Sequence, residues 1–207
     1  MEYPYLNIFD DGKEASLQDD AELTVAVAEQ IRSFPGSISI SDVNSLPPEF
    51  IASLLEEYAG PKLSVSGHRY LTPESAAALS GFRGDLTLIG DFDLTPEVAE
   101  SLSKVEGSLN IADVEKLSAD AASHLATHRG YLGLNGVQNL SDEAAAALSK
   151  HEGSLDLNSL SEISEAACLE LAKHRECVGM ENLDPDTLTP TAIDAFKKAW
   201  PDVWGGV

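Results

Sequence analysis

The chain has 207 residues, with 13 Lys and Arg against 35 Asp and Glu, for a formal charge of −22. So acidic a surface repels nucleic-acid phosphates and anionic membrane headgroups, which are bound through Lys and Arg. An apolar content of 43% beside 23% charged residues belongs to a folded domain with a core, not to a disordered acidic tail.

The opening run Met1-Glu2-Tyr3-Pro4-Tyr5-Leu6-Asn7 lacks a basic stretch followed by an apolar one, so no secretory signal is expected. No apolar run approaches the ~18 residues of a membrane span. Cys168 and Cys177 alone do not make a disulfide framework. Together these predict a cytoplasmic protein. Residues 1–13 are expected to form an N-terminal cap, with Leu6 and Ile8 as an extra strand. The acidic stretch from Asp10 to Glu22 then reads as a loop or irregular first unit with Ala15 and Leu17 as its strand. It belongs to an atypical first repeat, residues 14–36, in which Leu23, Val27, Ile31, Phe34 and Gly36 fall in register with the later units.

From Ser37 the chain repeats. Gly84, Gly107, Gly130 and Gly153 recur every 23 residues. Just after each come paired apolar residues: Leu86 and Leu88, Leu109 and Ile111, Leu132 and Leu134, Leu155 and Leu157. The series runs back through Leu63 and Val65 to Ile38 and Ile40, and forward to Val178 and Met180. Alternation of period two predicts a strand buried on one face. A hydroxyl residue followed by Pro or an acid, as in Thr72-Pro73-Glu74, Thr95-Pro96-Glu97 and Ser141-Asp142-Glu143, predicts a capped helix start. Ala-rich stretches such as Ala144 to Leu148 favour helix and let neighbouring helices approach closely. The glycine is read as the residue that ends the helix and turns the chain into the next strand. Six such units span 37–176. A last repeat and a C-terminal cap span 177–207, with Ala192, Ile193, Phe196, Trp200 and Trp204 as a lid over the open end of the core.

This pattern resembles the leucine-rich repeat family over about residues 14–199, and the bacterial variety in particular, as in Leu132 to Leu148. The resemblance implies an α/β fold: one right-handed solenoid domain over 1–207, with a parallel sheet on its concave side and helices on its convex side. It also implies partner binding through the concave strands. Two departures stand out. Val43, Val114, Val137, Leu160 and Leu183 occupy the family's Asn position, so no asparagine ladder is expected, and the Leu three residues before each pair is missing.

Chemistry is sparse. His128, His151 and His174 lie 23 residues apart and should stack near the helix C-termini, at a site that Phe34, Phe82 and Val105 fill in other units. The preferred reading is a half-buried ring favoured at a helix C-terminus; the alternative is a metal-binding or pH-sensing column. Cys168 stands where Ala145 stands one unit earlier, so it reads as a small core residue, and Cys177 as a partly exposed thiol. Asp10, Asp11, Asp19 and Asp20 lack the spacing of a calcium loop. No G-x-S-x-G elbow, phosphate loop or H-E-x-x-H occurs, so neither catalysis nor a cofactor or metal is expected.

The candidate site is therefore the outward face of the sheet. Its residues are Ser39, Ser41, Lys62, Ser64, Ser66, Thr87, Ile89, Asn110, Ala112, Tyr131, Asn135, Asp156, Asn158 and Glu181. This strip is small, polar and lightly charged, with Tyr131 as its natural anchor. A monomer that binds a protein or peptide, without nucleic acid or membrane, is the expectation. The alternative is an acidic inhibitor of immunity type, neutralising a basic partner through its negative surface.

Overall fold

The computed structural model describes residues 3–19, 21–67 and 70–206. Strand β1 (Leu6–Phe9) turns back through a short 3-10 segment at Asp10–Gly12 into β2 (Glu14–Leu17), and α1 (Val25–Ile31) comes next. The chain then alternates: β3 (Ser37–Ile40), α2 (Pro48–Leu55), β4 (Lys62–Ser66), α3 (Pro73–Leu79), β5 (Asp85–Ile89), α4 (Pro96–Leu102), β6 (Leu109–Ala112) and α5 (Ala119–Leu125). It continues with β7 (Leu132–Gly133), β8 (Asn139–Leu140), α6 (Asp142–Leu148), β9 (Leu155–Asp156), β10 (Glu162–Ile163) and α7 (Glu165–Leu171). Helices α8 (Pro190–Ala199) and α9 (Pro201–Trp204) close the chain.

Among the described residues the main sheet has eight strands in the order β1-β2-β3-β4-β5-β6-β7-β9, of which only β1 runs antiparallel, pairing Leu6 with Leu17. Each later strand pairs in parallel with the one before it, and β8 and β10 form a small parallel pair of their own. Each helix packs on the next, forming the second layer. One core runs between the layers from Leu6 to Trp204. This is a leucine-rich-repeat-like α/β arrangement.

Local chemistry explains the regularity. In α1, α3, α4, α5, α6, α7 and α8 the hydroxyl of Thr24, Thr72, Thr95, Ser118, Ser141, Ser164 or Thr189 accepts from the backbone N–H three residues on. That bond satisfies a donor with no partner inside the helix. Helix α2 lacks such a bond and starts instead on Pro47-Pro48. Six helices, α1 and α3 to α7, have only seven residues each, too short to persist alone, so their stability comes from burying faces such as Ala121, Ala122, Leu125 and Ala144, Ala145, Leu148.

The repeating glycines have a different role from the expected one. The helices end on right-handed residues such as Ser80, Ser103 and Ser149, and the described positive-φ glycines are Gly12 and Gly67 only. What Gly107 and Gly153 supply is room. A Cβ on Gly107 would lie 2.3 Å from the Gly84 carbonyl oxygen, and one on Gly153 would lie 2.1 Å from that of Gly130. The backbone of each repeat thus rests directly on that of the preceding one.

At the ends the extra strand at Leu6 and Ile8 and the strand at Ala15 and Leu17 are present, but details differ from expectation. Leu6 is buried but Ile8 is 46% exposed on the edge strand. Val178 and Met180 are buried, yet the last repeat forms only an isolated bridge, Asp156 to Gly179. At the C-terminus Ala192, Phe196, Trp200 and Trp204 close the core, with Phe196 centred 5.2 and 4.8 Å from the two indoles, while Ile193 is half-buried.

Candidate functional site

Parallel pairing lines up the outward side chains in rows across the sheet. The central row reads Ser16, Ser39, Ser64, Thr87, Asn110, Gly133, Asp156, Gly179. One flank carries Lys62, Asp85 and Tyr131. The other carries Ser41, Ser66, Ile89, Ala112, Asn135, Asn158 and Glu181. Ser39, Ser41, Lys62 and Glu181 are exposed; Ser64, Ser66, Thr87, Ile89, Asn110, Ala112, Tyr131, Asn135, Asp156 and Asn158 are half-buried. At about 4.8 Å per strand the strip is about 34 Å long.

Its two halves differ. Across β3, β4 and β5 the central row consists of short hydroxyl side chains. Toward the C-terminal end the side chains bond to one another and to backbone. Asn135 Oδ1 accepts from the Asn158 N–H (3.3 Å), and Asn158 Oδ1 accepts from the Glu181 N–H (3.0 Å). A short asparagine ladder therefore exists, two residues before the position that Val137 and Leu160 occupy. These carbonyls act in the stack, a role that an outward polar position in the sequence does not disclose.

Tyr131 lies across the sheet rather than standing off it. Its hydroxyl donates to Asp156 Oδ2 at 3.0 Å, and its ring covers Gly133, where a Cβ would meet the hydroxyl at 2.9 Å and Asn110 Oδ1 at 2.6 Å. Burial pushes the phenol pKa up, and the hydrogen bond and charge of Asp156 add to that. Among the described residues, Asn110 Oδ1 and Asp156 Oδ1 are buried without a hydrogen-bond partner.

The strip is flanked by acidic loops. Asp91, Asp113 and Glu115 line a cavity of about 360 Å³ together with Asn135, Gln138 and Ser159. Helix surfaces carry further exposed acids, among them Glu49, Glu74, Glu97, Asp120, Glu143 and Glu165.

The histidine column forms, but not as half-buried rings. His128, His151 and His174 are each at most 3% exposed, and their ring centroids lie 6.2 and 6.0 Å apart. Burial pulls the pKa of His128 and His151 down, which favours the neutral ring over a cation at the helix end. His151 Nε2 bonds the Gly130 carbonyl at 3.1 Å, and His174 Nδ1 the Glu176 carbonyl at 2.8 Å. Tyr58 belongs to the same column, although the 23-residue count does not reach it. It stacks on Phe82 at 5.9 Å, and its hydroxyl accepts from the Ile38 N–H at 3.1 Å.

Among the described residues no group of His, Cys, Asp or Glu is arranged to hold a metal ion. Asp10 and Asp11 sit in the 3-10 segment, with Lys13 3.6 Å from Asp10; Asp20 and His68 lie outside the described residues. Cys168 is fully buried, its thiol pushed up to about 11 by burial, and burial also raises Cys177. No described helix is long and apolar enough to cross a membrane.

No protein-family profile and no curated protein matches this chain. Among solved structures it is similar to a chain in the complex of Toll with Spatzle, described as a molecular hub in Drosophila development and innate immunity. That chain superposes with a TM-score of 0.57 over 95% of this chain, at 12% identity. The likeness is one of fold, to a leucine-rich-repeat protein. This chain spans 31% of the length of the other.

Proposed function

We propose that the chain is a non-enzymatic interaction module that binds a protein or peptide partner through the outward face of its sheet. The observation that carries this reading is the central row of side chains. Ser39, Ser64 and Thr87 stand in register on adjacent strands, partly open to solvent, while the flanking Ile38, Leu63 and Leu86 point inward to the core. Residues in such a row change without disturbing the packing beneath, so the face is free to be specialised. The Toll–Spatzle complex supports the reading as an assembly of a similar fold with a protein partner, although fold alone does not fix function. The protein is taken to work as a cytoplasmic monomer.

A second reading draws on the charge of −22 and the acidic loops beside the strip: an inhibitor that neutralises a basic partner. Paired affinity capture separates the two, using wild-type bait and a Ser39→Arg/Ser64→Arg/Thr87→Arg variant. A partner held by the wild type and lost by the variant supports the sheet face. A partner kept by both but released by moderate salt contradicts it and favours the inhibitor.

A further inference from the structure

Resting on the sheet-face reading, we infer that Asp156, beside Gly133 and Gly179, forms a subsite for a basic side chain of the partner, with Tyr131 as its internal placeholder. In the central row, glycine stands on both sides of Asp156, at Gly133 and at Gly179. The row there lacks two side chains, and acceptor-bearing neighbours lean into the places they leave, with the Tyr131 ring over Gly133 and the Asp156 carboxylate over Gly179. Asp156 Oδ1 lies 2.6 Å from where a Cβ of Gly179 would be, and Asn158 Oδ1 lies 3.1 Å from it. Asn110 Oδ1 borders the Gly133 gap in the same way.

The donors do not match the acceptors. The Tyr131 hydroxyl satisfies Asp156 Oδ2, and Asp156 Oδ1 has no partner although it is buried. A buried charged oxygen left unpaired is costly, and no rotation of a carboxylate turns an acceptor into a donor. Asn158 Oδ1 is already committed to the Glu181 N–H. A ligand entering this gap must therefore bring donors, and one carrying positive charge also answers the carboxylate. A guanidinium brings five N–H groups in one plane. The acidic groove at Asp91, Asp113 and Glu115 touches Asn135 and favours the same sign of charge.

Tyr131 is the group that must move. Its ring fills the place beside Gly133, and its hydroxyl bond to Asp156 Oδ2 stands in for the partner's donor. Swinging the ring away uncovers Gly133 and Asn110 and frees Asp156 Oδ2, leaving the whole carboxylate without an internal donor. The exchange is of one neutral hydrogen bond for several charge-assisted ones.

The test is ¹⁵N-NMR titration of the full chain at ~150 mM salt. The probes are the blocked tripeptide Gly-Arg-Gly and its citrulline counterpart, which has the same shape without the charge. The expected result is saturable shifts of the Gly133 and Gly179 amides with arginine and not with citrulline. Asp156→Asn should weaken binding at least about tenfold, and Tyr131→Phe, which keeps the ring but removes the hydroxyl, should tighten it by about two- to tenfold. A tyrosine with only a structural role would leave affinity unchanged. Absence of saturable shifts, equal response to citrulline, or an unaffected Asp156→Asn variant would each overturn the subsite. Shifts confined to Ser39, Ser64 and Thr87 would overturn it while sparing the sheet-face reading. Shifts confined to the helices would contradict both.

Discussion

Replacing Gly107 by Ala adds a single methyl, and the structure sets what that methyl meets. It would lie 2.3 Å from the Gly84 oxygen and 2.4 Å from the Gly84 carbonyl carbon, against an ordinary contact of 3.4 Å or more. Both obstacles are backbone, so the two repeats must part by about 1 Å. Bonds that cross that junction include Ser108 N–H to Asp85 Oδ1 (2.8 Å), Leu86 N–H to Ser108 O (2.8 Å) and Glu106 N–H to Phe82 O (3.1 Å). Overpacking by a methyl, with stretching of these bonds, should cost about 3 kcal/mol. Gly81→Ala is the control. Nothing lies within 4 Å of its Cβ and its φ is not positive, so it should stay within ~0.5 kcal/mol or gain slightly. Urea unfolding followed by both circular dichroism and the fluorescence of Trp200 and Trp204 reports the midpoint and whether the array melts as one unit. Gly107→Asn discriminates further, since asparagine tolerates a left-handed backbone but has a Cβ. Equal stability of Gly107→Ala and wild type, or rescue by Asn, would refute the close-approach argument.

Three further outcomes are expected. Leu134→Asp puts a carboxylate at a 1% exposed core position and should abolish the cooperative melt in circular dichroism; native-like melting would mean the repeat alignment is wrong. Because the folded pKa values of His128 and His151 lie below the unfolded value of 6.5, the unfolded chain takes up protons first as pH falls, so stability is lost below about pH 6.5. The urea midpoint should fall between pH 7.5 and 5.5, and by less in His128→Phe/His151→Phe; identical slopes would show that the column does not contribute. Cys168, buried with its thiol at about 11, should resist a thiol reagent at pH 8 until urea unfolds the chain, and rapid labelling of the native protein would contradict its placement in α7.

Much of the fold is visible in the residues because two signals agree in every repeat but that of α2, which has no hydroxyl cap. The apolar pairs fix the strands and the hydroxyl caps fix the helix starts, and from Lys62 to Glu176 both recur every 23 residues. The role of the glycines is not visible, since a residue needed for a turn and one needed for close contact are both simply glycine. Tyr58 escapes because its unit, from Ser37 to Pro61, is longer than its neighbours, which moves the ring out of count. At Asn135 and Asn158 the sequence shows an outward polar residue but not which backbone N–H it reaches in the next repeat. The two-residue strand β7 contains Gly133, and β9 pairs with Gly133 and Gly179; glycine is a poor strand former, a cost that the alternation of Leu132 with Leu134 conceals. Of the site, the rows and their polarity are legible, whereas the Tyr131 bond to Asp156 depends on Gly133 leaving room for the ring.

Radical footprinting of the wild-type chain, alone and with its captured partner, addresses the binding face most directly. The sheet-face account predicts that Tyr131, Ile89 and Lys62 become protected while Leu169, exposed on α7, keeps its reactivity. Protection of Leu169 with unchanged labelling of Tyr131, Ile89 and Lys62 would contradict it and move the interface to the acidic helices.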